Sequence, residues 1–291
     1  MMQGDQPGAV PARARVVGDR PRRGLVRAAA TAALVTAALA GTGPGTGTAS
    51  AAAGNPAVGT GSGAAAAGGG PGAAVAGGGH QPPVTRGPCQ YTATPDDPAV
   101  RPVPLPPDPR RTPAQGTVRV VLQTNLGRIP LTLDRAQAPC TVQSFLHLVR
   151  HRFYDRTICH RLTAFPTLKV LQCGDPSGTG EGGPGYRYAD ELPTDLPPAP
   201  TDPTGVRRVY ARATLAMANA GPDTNGSQFF LVYANSALRP NFTIFGTVRP
   251  VGLDTLDRIA AGGVQATPED PAPVDGAPAL RTEIRRAKRG G

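Results

Sequence analysis

TVRVVLQTNLGRIPLTL, residues 117–133, decides the fold class of this chain. Its first eight residues are rich in β-branched and apolar side chains, NLGR is a turn, and Ile129, Leu131 and Leu133 alternate, which predicts an opening β-hairpin. Moving toward the C-terminus, APCTVQSFLHLVRH places Val142, Phe145, Leu146 and Val149 at helical spacing behind a proline, so an amphipathic helix packs its apolar stripe on the sheet. Short β-like pieces follow at 158–162, 168–172, 214–219, 228–233 and 243–248, separated by glycine- and proline-rich loops. GLDTLDRIA carries Leu253, Leu256 and Ile259 inward as a second helix, and LRTEI (280–284) reads as a closing strand. Many short strands with two helices predict a mainly β fold, a closed antiparallel barrel capped at its ends.

Moving toward the N-terminus, the composition changes. Glycine and proline together make up 72 of 291 residues, and much of this sits in 41–115, a Gly/Ala/Pro-rich stretch without the apolar side chains that offset ordering entropy. Residues 41–115 therefore read as a disordered linker, flexible first and stiffer near DPAVRPVPLPPDPRR. Before it, Arg20, Arg22, Arg23 and Arg27 precede the uncharged run Ala28–Ala40, which ends in an A-x-A pattern. The run is too short to span a bilayer, where about 20 apolar residues are needed, so residues 1–40 read as an export signal and the protein as exported, extracellular or held at the cell envelope. Membrane contact is expected only through this segment, if it stays uncleaved. The folded domain is expected at 116–286, with a basic tail at 287–291.

The net charge of +10 raises the question of nucleic acid, but residues 116–291 hold 20 basic and 15 acidic groups, four of the basic ones at 285–289. No basic stripe is interleaved with aromatics, and tryptophan is absent, so no nucleic-acid partner is expected. Cys89, Cys140, Cys159 and Cys173 contain no C-x-x-C, and His80, His147, His151 and His160 add no metal-ligand spacing, so neither metal nor cofactor is expected. The glycine-rich run 174–192 lacks the Lys-Ser or Lys-Thr of a phosphate loop and reads as a structural loop.

FYDRTICHRL (153–162), VLQCGDPSGTGEGGPGY (170–186), LAMANAGPDTNGSQFFL (215–231) and NFTIFGTV (241–248) occur in the order found in cyclophilins, and the chain resembles their actinobacterial exported branch over almost all of 116–286. The resemblance implies an eight-stranded barrel with two helices, a proline-binding groove on its outer face, and peptidyl-prolyl cis/trans isomerase activity on proline-containing polypeptides, by a monomer. It implies Arg161 as the catalytic cation, Gln172 as the residue that positions it, and Asn219 as the partner of substrate main chain. Phe230, with Val170 and Leu238, would form the proline pocket, and Phe242 would close its edge. Ala218, Ala220 and Gln228 would line the neighbouring surface.

The sequence departs from the family pattern in three places. The segment between His160 and Gln172 is longer, which puts Lys169 where an aromatic usually packs. Val170 replaces a methionine, and Ala237 stands where some members carry tryptophan. Weak cyclosporin binding is expected from the smaller pocket, and Lys169→Phe is expected to raise affinity for apolar peptides. An alternative to the enzyme is a proline-binding or chaperone module with little turnover. By strand alternation His160 points away from Arg161 and reads as a buried, hydrogen-bonding histidine. The same alternation puts Cys159 on the face of Arg161 and Cys173 on the opposite one, so these two are expected not to be bonded. Cys89 and Cys140 remain free to pair with either of them, or with each other if the linker folds back.

Overall fold

The structure, a computed structural model, describes residues 85–290. The expected export segment (1–40) and the linker residues 41–84 lie outside the described residues. Three short strands come first, β1 Thr85–Arg86, β2 Thr92–Ala93 and β3 Thr112–Pro113. The hairpin forms β4 Thr117–Thr124 and β5 Arg128–Asp134, followed by helix α1 Pro139–Arg150. Next are β6 Thr157–Ile158, β7 Arg161–Thr163, β8 Val170–Cys173, β9 Tyr186–Arg187 and β10 Arg208–Tyr210. Then follow β11 Thr214–Met217, β12 Phe229–Val232, β13 Ser236–Leu238 and β14 Ile244–Val248. Helix α2 Pro250–Ala261, β15 Asp275–Gly276 and β16 Glu283–Arg289 complete the described elements.

The main sheet has ten antiparallel strands in the order β15-β7-β8-β12-β11-β14-β5-β4-β16-β6. The expected closed eight-stranded barrel is corrected to a curled half-barrel. Its edges are β15 and β6, and among the described residues they do not pair with each other, because the chain leaves the ladder at Cys159–His160 between β6 and β7. Cross-strand partners share a face. One row, Leu162, Leu171, Leu231, Leu215, Gly246 and Leu133, faces inward across six neighbouring strands. Its leucines are buried. At Gly246 a Cβ would sit 2.3 Å from the Thr132 carbonyl oxygen, so only glycine lets β14 approach β5 there.

Helix α1 buries the whole stripe read from its spacing, and α2 buries Leu256 and Ile259 while Leu253 stays half-buried. Phe145 of α1 meets Tyr154, Phe229 and Phe245 at ring-centroid distances of 5.0, 5.4 and 5.2 Å. Ala138 cannot cap α1 with its side chain. Instead the buried Glu191 carboxylate accepts from the Cys140 and Thr141 N–H groups at 3.1 and 2.8 Å, placing negative charge at the positive end of the helix.

The linker expectation is corrected for the described part of the segment. β1 pairs with β3, and β2 with β9. Cys89 is bonded to Cys140, and buried Tyr91 donates to the Cys140 carbonyl at 2.7 Å while packing edge-on against Tyr186 and Tyr188. Arg101 donates to the carbonyls of Phe153 and Asp155, and His147 Nε2 to that of Pro104. The anchors are single residues rather than an apolar run, and for that reason composition did not reveal them. The expected basic tail is also corrected: β16 pairs with β4 as far as Arg289, burying Ala287 and leaving Lys288 and Arg289 as exposed strand residues.

Cys159 and Cys173 are bonded, with Cα atoms 4.0 Å apart, against expectation. Cys173 faces inward beside Phe229, as alternation requires. Cys159 does not follow alternation back from Arg161, because it lies in the break between β6 and β7 and donates its N–H to Thr282 at 2.9 Å. The turn of the chain at that break brings its side chain inward. His160, in the same break, has both ring nitrogens buried without a hydrogen-bond partner among the described residues, so its expected hydrogen bond is not found. Burial lowers its pKa.

Candidate active site

Directly opposite the leucine row, on the outer face, a second row runs Arg161, Gln172, Phe230, Ala216 and Ile244 across β7, β8, β12, β11 and β14. It begins with a cation, passes through an amide and ends in apolar side chains, so one line of cross-strand neighbours makes a groove with a charged end and a greasy end.

At the charged end the side chains are tied by directional bonds. Arg161 Nη1 donates to Gln172 Oε1 at 3.2 Å, Gln172 Nε2 donates to Gln228 Oε1 at 2.9 Å, and Gln228 Nε2 donates to the carbonyls of Gly180 and Gly182 at 2.9 Å each. The Gly180–Gly182 loop is itself held by buried Asp175, which accepts from Ser177 and from the N–H groups of Gly180 and Gly182. Burial alone would raise the Asp175 pKa, but these hydrogen bonds outweigh it and hold the carboxyl below its ordinary range. On its other side Arg161 meets Asp275 side-on, Nε to Oδ1 and Nη2 to Oδ2, both at 2.6 Å. The Asp275 carboxylate, acting against partial burial, raises the guanidinium above its already high pKa.

At the greasy end Val170, Tyr210, Ala216, Phe230 and Val232 are buried together, with Leu168, Ala218, Leu238, Phe242 and Ile244 packed against them. Phe230 and Phe242 meet edge-on at 5.6 Å, and Tyr210 lies beneath both. The Tyr210 hydroxyl donates to the Phe242 carbonyl at 3.0 Å, and burial pushes its pKa up to about 12. A cleft of about 510 Å³ adjoins the row. Gln172, Ala218, Asn219, Ala220 and Gln228 form one side of it, and Ala93–Asp97 of the N-terminal segment form another. Asn219 lies one residue beyond the last backbone bond of its strand, Ala218 N–H to Gln228 O, and its side chain donates to the Asn241 carbonyl at 2.8 Å.

The structure therefore brings Arg161, Gln172 and Gln228 together at one end and Val170, Ala218, Phe230, Leu238 and Phe242 at the other, with Asn219 and Ala220 along the cleft. It does not bring Lys169 to either. Lys169 pairs through its backbone with Ser236 Oγ and the Tyr233 N–H and belongs neither to the apolar cluster, hereafter the bowl, nor to the cleft; the neighbouring Leu168 packs against the bowl instead. Sequence reasoning missed Leu168, Tyr210 and Asp275. Tyr210 stands on the three-residue strand β10, whose flanking sequence VRRVYA shows no alternation that could have marked it. Asp275 carried no signal either, since it stands on a two-residue strand 114 positions from Arg161.

Residues 119–287 match the family described as cyclophilin type peptidyl-prolyl cis-trans isomerase/CLD. The chain is 50% identical over 185 residues to a probable peptidyl-prolyl cis-trans isomerase B of Mycobacterium tuberculosis, covering 64% of this chain and 60% of that protein. The match thus spans less than two thirds of the mycobacterial relative's length. A peptidyl-prolyl cis-trans isomerase-like 1 of Gibberella zeae is 40% identical over 163 residues, 55% of this chain and 90% of that one. Among solved structures, a cyclophilin type peptidyl-prolyl cis-trans isomerase of Cryptosporidium parvum aligns with a TM-score of 0.47 and 27% identity, over 60% of this chain and 99% of the other. The family match takes in more than half of the chain and the whole row from Arg161 to Ile244, and the chain belongs to the cyclophilin-type peptidyl-prolyl cis/trans isomerase family.

Proposed function

We propose that the chain is a peptidyl-prolyl cis/trans isomerase that accelerates rotation of X-Pro bonds in exported or unfolded polypeptides, without a covalent step. The observation that carries this reading is the outer row, in which a fixed guanidinium stands two strands away from Phe230, at the centre of an apolar bowl. Rotation about an X-Pro amide is opposed by about 18–20 kcal/mol, and the uncatalysed step takes tens to hundreds of seconds. As the amide twists, its nitrogen loses conjugation and its lone pair, shared with the carbonyl in the planar state, becomes localised and able to accept a hydrogen bond. A donor cation beside that nitrogen stabilises the twisted state more than the planar one. Arg161 is suited to this because its fork is rigid and always charged. The bowl around Phe230 seats the proline ring, Gln172 steadies the fork, and Asn219, past the end of its ladder, meets substrate main chain like an added strand.

Export supports the setting of this activity. The N-terminal sequence reads as a signal, and both disulfides are of the kind that persist outside a reducing cytoplasm. The bowl, with Val170 where a methionine is usual, takes cyclosporin weakly, and the enzyme acts as a monomer.

The reading is tested with a coupled assay on an X-Pro peptide. A charge-assisted hydrogen bond is worth about 1.5–3 kcal/mol, so Arg161→Ala is expected to lower kcat/KM by roughly 10- to 150-fold with the fold intact. Retention of more than half the activity would show that Arg161 is misassigned, and peptide binding without turnover by the unaltered protein would favour the binding module.

A further inference from the structure

Resting on the isomerase reading, we infer that Asp275 is a positioning residue that fixes the plane of the Arg161 guanidinium and so selects which N–H groups face the substrate. A guanidinium carries five N–H donors. Asp275 takes one from Nε and one from Nη2, and Gln172 takes one from Nη1. One N–H therefore remains on each terminal nitrogen. Gln172 alone would leave the fork free to turn about a single bond. Three bonds to three different nitrogens hold the plane.

The backbone around Asp275 is arranged to deliver this contact. β15 pairs only with β7, Asp275 opposite Thr163 and Gly276 opposite Leu162, so the carboxylate reaches diagonally to Arg161. On its far side the same stretch is tied to the residues after α2, through Gln265 N–H to Ala277 O at 2.7 Å and Ala279 N–H to Gly263 O at 2.9 Å. Gly276 has a φ of +154°, and a Cβ there would come within 3.1 Å of Val264. A two-residue strand is thus held from both sides, with its carboxylate on the fork.

Exposure separates positioning from stability. The side chains of Arg161 and Asp275 keep 39% and 35% of their accessible surface, and ion pairs that open to water contribute little to folding. The same contact does more for catalysis, where small displacements of a reacting group cost up to about a hundredfold in rate. A carboxylate beside the cation could instead act as a brake by neutralising it. The two roles have opposite signs.

The test compares Asp275→Ala and Asp275→Asn in the full chain, each alone and combined with Arg161→Ala. Asp275→Ala is expected to lower kcat roughly tenfold while KM stays within twofold and the melting temperature is nearly unchanged. Asp275→Asn keeps one acceptor for the fork and is expected to recover part of the loss. In the Arg161→Ala background neither change should have a further effect, because Asp275 acts only through Arg161. A kcat unchanged or raised by Asp275→Ala, or an equal loss in both backgrounds, overturns the inference. If Arg161→Ala itself retains activity, the isomerase assignment of Arg161 fails instead, and the two failures are told apart.

Discussion

The two ends of the outer row are held by different physics. Arg161, Gln172 and Gln228 are joined by directional hydrogen bonds running from β15 to the Gly180–Gly182 loop, and all three side chains remain partly open to water. Phe230, Val170, Tyr210 and Ala216 are held by shape, buried against one another. Directional bonds can be cut one at a time without leaving a hole. Packed rings cannot, because neighbours close only partly over a deleted side chain. The charged end should therefore carry rate and the greasy end affinity and stability.

The largest effect is expected at the greasy end. Phe230→Ala removes a ring that is 4% exposed and in contact with Phe242 and Tyr210, and such truncations cost about 3–5 kcal/mol of stability. In urea unfolding this variant should lose most of that amount, and KM for an X-Pro peptide should rise, whereas Arg161→Ala should keep its midpoint and lose kcat. A Phe230→Ala protein as stable as the parent would break the contrast, since the bowl would then be a surface feature rather than a second small core.

A smaller effect, confined to the charged end, comes from pH. The Asp175 carboxyl is held below its ordinary range by N–H and hydroxyl donors, so the folded state binds its proton less readily than the unfolded state does. The stability it contributes is complete above the unfolded pKa of about 3.9 and is lost as pH falls through the lower folded value. The stability difference between the parent and Asp175→Asn should therefore shrink as pH falls from about 4 toward 2; above that range it also reflects His160, whose pKa burial lowers and the Asp175 charge raises. Asp202 and Asp257, also held low, titrate in both proteins and cancel from the difference. A difference that stays constant to pH 2 would mean that the loop does not depend on the Asp175 charge.

Sequence made the row legible up to the point where regular strands end. Gln172 and Phe230 follow from the resemblance to cyclophilins, the inward Ile129, Leu131 and Leu133 follow from period-2 alternation, and the helix stripes follow from their spacing. The errors cluster where the ladder is interrupted. Cys159 was placed on the wrong face because alternation was carried through a break, and the barrel was closed in expectation because β6 and β15, two residues each, leave almost no pattern to read. Residues 86–113 looked like linker because their folding is anchored by a disulfide, a tyrosine hydroxyl and an arginine fork, contacts that composition does not register. Asp275 shows the same limit at the site itself, since a partner 114 residues away is visible only once the chain has been folded.

The smallest expected effect concerns the residue on which sequence and structure differ most directly. The resemblance to cyclophilins puts Lys169 beside the proline pocket, where an aromatic replacement would strengthen apolar contacts. In the fold, Phe165 bridges to Leu168, the turn absorbs the extra length, and alternation from Val170 then puts Leu168 rather than Lys169 on the bowl face. Lys169→Phe should leave KM for an apolar X-Pro peptide within about twofold, because the new ring has no route to the bowl. Full burial of a leucine side chain is worth about 1.5–3 kcal/mol, so truncating the half-buried Leu168 to alanine should raise KM by roughly three- to tenfold with kcat little changed. Tighter peptide binding by Lys169→Phe, together with an unaffected Leu168→Ala, would mean that the turn at 165–168 rearranges around the substrate and that the charged and greasy ends are less rigidly joined than the row implies.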